Sequence, residues 1–190
     1  MKTTNTTSLS DEELVKEIVE TNNTHLFAVL YDRYSNVVYN KCYGFSKSKE
    51  EAQDLTHDVF IRLFVKLRTF KGRSKFSTWL YSFTYNFCVN YVQRNTNKKN
   101  EKVTVVTDVI KDEDINENEI DDATLFELKS DKLAKAMALI DPQDKMILLM
   151  KYQDDMTVKG IMESLNLGAS AVKMRLNRAK TRLMDSYKGL

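Results

Sequence analysis

The chain has 190 residues, of which 42% are apolar and 29% charged, and carries a formal net charge of +2. That fits one large domain or two small ones with real apolar cores. It excludes a membrane helix, since no run nears the roughly 18 consecutive apolar residues required. The start, Met1 to Thr7, lacks the apolar stretch of a secretory leader, so a cytoplasmic protein is expected. Five Gly and one Pro are too few for the turns of a β-rich fold, and the fold class expected is all-α.

In chain order, residues 1–8 read as a polar tail, followed by a capping box at Ser10-Asp11-Glu12-Glu13. A first helix then turns Leu14, Val15 and Ile18 inward and ends near Thr21-Asn22-Asn23. A second carries Leu26, Phe27, Leu30, Tyr34, Val37 and Val38 at three- and four-residue steps and stops near Gly44. A third, about 49–67, repeats Leu55, Val59, Leu63 and Leu67, with Phe60 and Phe64 widening the stripe. Its opposite face opens with Glu50, Glu51, Asp54 and Asp58. The acids of the first turn suit the helix dipole, but Asp58 lies too far along for that.

Thr69 to Phe76 breaks the pattern as a cationic, aromatic loop around Gly72. Ser77-Thr78 then offers a cap for a fourth helix with Trp79, Leu80, Phe83 and Phe87 inward. Tyr81, Tyr85, Asn86, Asn90, Tyr91 and Arg94 are left on its other faces. Cys42 and Cys88 sit in apolar patterns without metal-ligand spacing and read as small buried hydrophobes. Four helices thus make a first domain over residues 9–97.

Residues 98–130 read as an acidic flexible linker, extended at Val103 to Val106. The second domain, 131–190, opens with Leu133, Ala136, Met137 and Ile140, then Asp141-Pro142 as a helix boundary. Met146, Ile147, Leu149 and Met150 form another stripe. Thr157 to Leu165 is a short helix, Asn166-Leu167-Gly168 a turn, and residues 170–187 a longer helix with Val172, Leu176, Ala179 and Leu183 inward. This is helix-turn-helix spacing. Asn166 tolerates the left-handed backbone such a turn needs, and Gly168 can serve as the N-cap. The outer face offers Ser170, Lys173, Met174, Asn177 and Arg178, types that reach base edges and phosphates in a major groove.

Charge is segregated along the chain. From Arg62 to Lys102 there are ten basic residues against Glu101, and from Thr107 to Asp131 ten acids against Lys111 and Lys129. After Ser170, six basic residues stand against Asp185. Two basic domains flanking an acidic linker suit a nucleic-acid binder, one part reading duplex and one holding single strand. Trp79, Phe83 and Phe87 are explained as core. Phe70, Phe76, Tyr85 and Asn86 fit that reading less well. An ordinary helix-turn-helix regulator is one alternative, although it leaves Asp54 to Phe64 without a role. A nucleic-acid enzyme with Asp54 and Asp58 as a metal pair is another. His25 and His57 have no partner at ligand spacing, so no metal, cofactor or catalytic group is expected.

The run from Phe70 to Tyr81 (FKGRSKFSTWLY), followed by Asn86, resembles the second region of the extracytoplasmic-function sigma factors of the sigma-70 family. Asp54 to Phe64 resembles their polymerase-binding helix, and Ala171 to Lys180 the recognition helix of their fourth region. The resemblance implies a non-enzymatic factor that brings core RNA polymerase to promoter DNA and is held in check by an anti-sigma factor. It implies that Asp54, His57, Asp58, Ile61 and Arg62 dock on the clamp helices of the largest subunit, with a further contact to the flap. Phe70 and Lys71 would belong to the loop that takes a flipped base of the −10 element, aided by Arg73, Lys75, Tyr85, Asn86 and Arg94. Ser170, Lys173, Met174, Asn177 and Arg178 would face the −35 element, and the linker would thread toward the RNA-exit path. A monomer that does not insert into membranes is expected in the free state. Two positions depart from the family, which commonly carries Glu at the position of Gly160 and Ser at that of Gly168. Thr157 thereby loses a capping-box partner, and the recognition helix a side-chain cap.

Overall fold

The computed structural model describes residues 9–99 and 121–190, and every regular element among them is helical. The tail over 1–8 and the linker over 100–120, with the stretch Val103 to Val106, lie outside the described residues, while residues 98–99, expected to open the linker, belong to the fourth helix. The chain divides into two compact units between Asn90 and Tyr91, a point inside the fourth helix rather than at its end.

The first unit is built on α1 (Asp11–Thr21), α2 (Thr24–Tyr43), α3 (Lys49–Lys66) and α4 (Phe76–Lys99), with a single 3₁₀ turn at Leu67–Thr69. Each of the first three helices starts on a side-chain cap. Ser10 and Glu13 form the expected reciprocal box, the Glu13 N–H donating to Ser10 Oγ and the Ser10 N–H to Glu13 Oε2. Asn23 accepts from the His25 N–H, and Ser48 from that of Glu51. Such caps satisfy donors that helix geometry leaves open, at about 1 kcal/mol each. The Ser10 hydroxyl and then the Ser10 N–H, both donating to Glu13 Oε2, hold its carboxyl below the usual range. Asn22 ends α1 in the left-handed region, its N–H on the Ile18 carbonyl.

The apolar stripes read from the sequence meet as one core, except that Val37 and Phe64 are exposed outside it. Leu14, Leu30, Val38, Val59 and Leu63 are sealed from solvent. Burying such side chains contributes roughly 1.5–3 kcal/mol apiece before conformational entropy is counted. Cys42 and Cys88 are buried in this core as expected, with their sulfurs 3.8 Å apart. Asp11 fastens α1 to α2, accepting from Arg33 Nη1 at 2.7 Å and from the Tyr34 hydroxyl. Burial, and then that hydrogen bond, push the Tyr34 phenol well above its ordinary value.

Helix α4 corrects the sequence reading in two ways. It begins at Phe76, so Ser77 and Thr78 lie within its first turn and do not cap it. The Phe76 N–H instead donates to Glu12 Oε1 at 2.9 Å. The inward face is Phe76, Leu80, Thr84, Tyr85 and Cys88, all buried, while Trp79, Phe83 and Phe87 are only half-buried. Apolar residues ring this helix, so spacing alone could not choose its buried side.

The second unit contains α5 (Asp122–Phe126), α6 (Ser130–Leu139), α7 (Pro142–Leu148), α8 (Val158–Leu165) and α9 (Ala169–Lys188). Asp141 caps α7 and Pro142 opens it, as the boundary at that dipeptide suggested. Leu149–Gln153 continues as one turn of π-helix, closed by the Asp154 N–H on the Leu149 carbonyl at 3.1 Å. Here Met146, Ile147, Leu148 and Met150 are buried and Leu149 half-exposed, a small correction to the expected stripe.

In the helix-turn-helix, Asn166 is left-handed at φ 53°, and the Leu167 N–H closes on the Met162 carbonyl at 3.0 Å. Val172, Leu176, Ala179 and Leu183 are buried as expected. Gly168 occupies the N-cap of α9 with no side-chain bond. A larger correction concerns α5. The end of the expected flexible linker is helical, with Leu125 buried and Asp122 paired to Lys180 of α9 at 3.0 Å.

Candidate functional site

On α3, Asp54, His57, Asp58, Ile61 and Arg62 are all exposed, a single outward strip at three- and four-residue steps. Its apolar centre stands out. Ile61 is 66% exposed, and Val65, which the sequence reading passed over, is 69% exposed one turn further on. The core behind the strip consists of Leu55, Val59, Phe60 and Leu63, so these two side chains are spare. His57 stacks on Tyr31 at 6.5 Å, and the Arg62 guanidinium lies over the Phe87 ring at 5.0 Å. Both rings are thereby held against the helix surface. The strip presents two carboxylates, an imidazole, a guanidinium and bare aliphatic groups. Such a mixture suits a protein partner better than a metal, and no group of three or more His, Cys, Asp or Glu able to hold a metal occurs among the described residues.

The loop between α3 and α4 exposes Lys71, Arg73 and Lys75, and turns on Gly72 at φ 65°, a conformation L side chains rarely adopt. Phe70 is half-exposed, propped edge-on against Phe76 at 5.4 Å and tilted against Trp79 at 5.5 Å. Trp79 in turn stacks on Phe83 at 5.5 Å. The result is an aromatic platform with a cationic rim, the composition that holds unstacked bases. Asn86 and Arg94 are exposed on α4.

Tyr85 is not available to DNA. It is fully buried, accepts a hydrogen bond from Lys41 Nζ at 3.0 Å and packs on Phe45. Lys41, itself nearly buried, also lies over the Tyr81 ring at 4.1 Å. A buried ammonium needs such partners, so Tyr85 is a structural residue, missed because its partner lies 44 positions away.

On α9, Ser170, Lys173 and Met174 are exposed, Met174 at 40%, while Asn177 and Arg178 are half-buried further along. They share the outer face, as their spacing predicts. Two polar links tie the helix to its neighbours. Arg182 Nη1 pairs with Asp144 Oδ2 of α7 at 2.7 Å, and Lys180 with Asp122. The Asp122 carboxylate also accepts from the Tyr152 hydroxyl. That bond first, and then Lys180, hold its carboxyl below the ordinary range, against an opposing push from burial.

Two family models match the chain: sigma-70 region 2 over residues 30–98 and sigma-70 region 4 over residues 130–183. Similar proteins include the ECF RNA polymerase sigma factor SigW of Bacillus subtilis, 26% identical over 86% of this chain and 90% of its own length. The ECF RNA polymerase sigma-E factor of Haemophilus influenzae is 24% identical over 96% of this chain and 97% of its own. Among solved structures, CnrH in complex with the cytosolic domain of CnrY covers 94% of this chain and 97% of that one, at TM-score 0.61 and 16% identity. The sigma factor RpoE in complex with the anti-sigma factor NepR, from Bartonella quintana, covers 85% and 96% at TM-score 0.58 and 14% identity. At those identities the likeness speaks for the fold.

Two helical domains carrying these two regions in this order define a promoter-specificity factor. The chain belongs to the sigma-70 family and, within it, to the extracytoplasmic-function sigma factors. It binds core RNA polymerase and promoter DNA and directs transcription initiation. No helix among the described residues is long and apolar enough to cross a membrane.

Proposed function

We propose that the exposed strip Asp54, His57, Asp58, Ile61 and Arg62, extended by Val65, is the surface that seats core polymerase. The observation that carries this is the exposure of Ile61 and Val65 beside two carboxylates, on a helix whose other face is well cored. Largely exposed aliphatic groups of this size gain by burial in a partner. Phe70, with Lys71, Arg73, Lys75, Asn86 and Arg94, receives the opened −10 strand, Phe70 stacking on a base and the cations holding phosphates. Unstacking a base costs a few kcal/mol, which such contacts offset. Ser170, Lys173, Met174, Asn177 and Arg178 face the −35 duplex.

In this reading the working division is residues 9–97 for polymerase and the −10 element, and 131–190 for the −35 element. The acidic linker joins them and is tied down at its end by α5. The protein is monomeric when free, works in the cytoplasm, makes and breaks no covalent bond, and is controlled by an anti-sigma factor. One of the fold neighbours was solved with such a factor. The test is run-off transcription with purified core polymerase on a library of host promoters. Asp54→Arg and Phe70→Ala are each expected to lower specific transcript at least tenfold while leaving melting unchanged. Full activity of Phe70→Ala would remove the base-capture role.

A further inference from the structure

Beside α9 the second domain holds a cavity of about 430 Å³, lined by Lys151, Lys173 and Lys180, by Tyr152, Leu176 and Asn177, and by Asp121 and Asp122 of the chain entering α5. With the two carboxylates moved away, three ammonium groups around one cavity make a site for an anion. Lys180 is only 7% exposed, so its charge needs a fixed partner. That partner is Asp122 Oδ1, 3.0 Å away, and the same oxygen accepts from the Tyr152 hydroxyl. An anionic oxygen held between an ammonium and a phenol is the coordination a phosphodiester oxygen takes.

The position of the cavity gives it a purpose. Lys173 and Asn177 belong to the face of α9 read above as the −35 surface, so duplex reaching them brings phosphates to the cavity, where they meet Asp122 and its neighbour Asp121. Like charges there repel. The element that carries the acids is short, five residues that bury Leu125 and tie to α9 through Asp122.

We propose that α5 is a built-in competitor of promoter DNA, its Asp122 carboxylate occupying a phosphodiester site on the recognition helix that the −35 duplex takes when α5 lets go. This rests on the assignment of Lys173 and Asn177 to the DNA face. A free protein with the site filled binds duplex weakly, in proportion to the small fraction in which α5 is undocked.

The test is fluorescence anisotropy of the full chain with a labelled random-sequence duplex, comparing Asp122→Asn with Asp131→Asn, which changes net charge equally away from the cavity. If α5 is docked for most of the time, Asp122→Asn tightens binding about five- to tenfold, and Asp131→Asn less than twofold. Tyr152→Phe, which removes one hold on the carboxylate and keeps Lys180, tightens binding by a smaller factor, and guards against misfolding of the first variant. Lys173→Ala, made alongside, weakens binding. Failure of both Asp122→Asn and Tyr152→Phe to tighten binding, with Lys173→Ala still weakened, overturns the competitor and leaves the DNA face standing. An unchanged Lys173→Ala removes the DNA face, and the competitor with it.

Discussion

The two domains are stabilised differently. The first is held by apolar burial from all four helices, its first three helices carry side-chain caps, and long-range polar links from Asp11 to Arg33, Glu12 to α4 and Lys41 to Tyr85 reinforce that core. The second opens its recognition helix on a bare Gly168, places Gly160 in the first turn of α8, and leans on ion pairs from α9 to Asp122 and Asp144. Hydrophobic burial is indifferent to pH and nearly so to salt, whereas charge pairs are not. The first domain is therefore a rigid seat, and the second a part whose stability and DNA affinity respond to its surroundings.

The largest expected effect that would sharpen this contrast is in the first core. Leu80→Ala should cost about 2–5 kcal/mol, seen as a fall of roughly 10 °C or more in the melting of that domain, with the helix-turn-helix transition unmoved. A fall in both transitions would break the separation. The next effect is an acid lability of the second domain traceable to one carboxyl. The folded Asp122 carboxyl titrates below its ordinary 3.8, so its contribution is complete above that value and is lost as pH falls through the depressed one. Melting of the second domain should decline over that acid range, and Asp122→Asn should abolish this part of the decline. An identical acid profile in the variant would show that the pair contributes nothing.

Smaller effects test the two glycines. A Cβ at Gly160 would meet Thr157 Oγ1 at 3.5 Å and Met156 Cε at 3.9 Å, ordinary contacts, so Gly160→Glu is accommodated. It adds a helix former and restores a capping box to Thr157, whose hydroxyl already accepts the Gly160 N–H at 3.1 Å. A gain of about 1 kcal/mol is expected in denaturant unfolding. Gly168→Ser, with nothing within 4 Å of the added Cβ, should add only a few tenths of a kcal/mol.

What could be read from the sequence was what repeats or what is local. The capping box at Ser10, the stripes of α2, α3 and α9, and the left-handed Asn166 of the helix-turn-helix each depend on residues within a turn or two. The outward strip of α3 was legible for the same reason, because the inward heptad-like run Leu55, Val59 and Leu63 leaves Asp54, Asp58 and Ile61 no other side. Three features were not legible. Glu12 caps α4 across 64 positions, Lys41 meets Tyr85 across 44, and Asp122 meets Lys180 across 58. No periodic signal announces a polar contact between distant elements. Trp79, Phe83 and Phe87 were placed in the core because α4 is aromatic on several sides, and only tertiary packing decides which rings are sealed. Half-exposed, they carry the loop aromatic Phe70, and a structural reading of those residues turns into part of the candidate site.

The central claim is that the spare aliphatic strip of α3 seats core polymerase. Its most direct test is titration of purified core polymerase with the labelled protein, wild type against Ile61→Asp. Ile61 takes no part in the buried core, so the variant should melt as the wild type does while its affinity for core polymerase falls at least tenfold, about 1.4 kcal/mol. Unchanged affinity in a normally folded Ile61→Asp protein would contradict the account and move the polymerase contact to another surface.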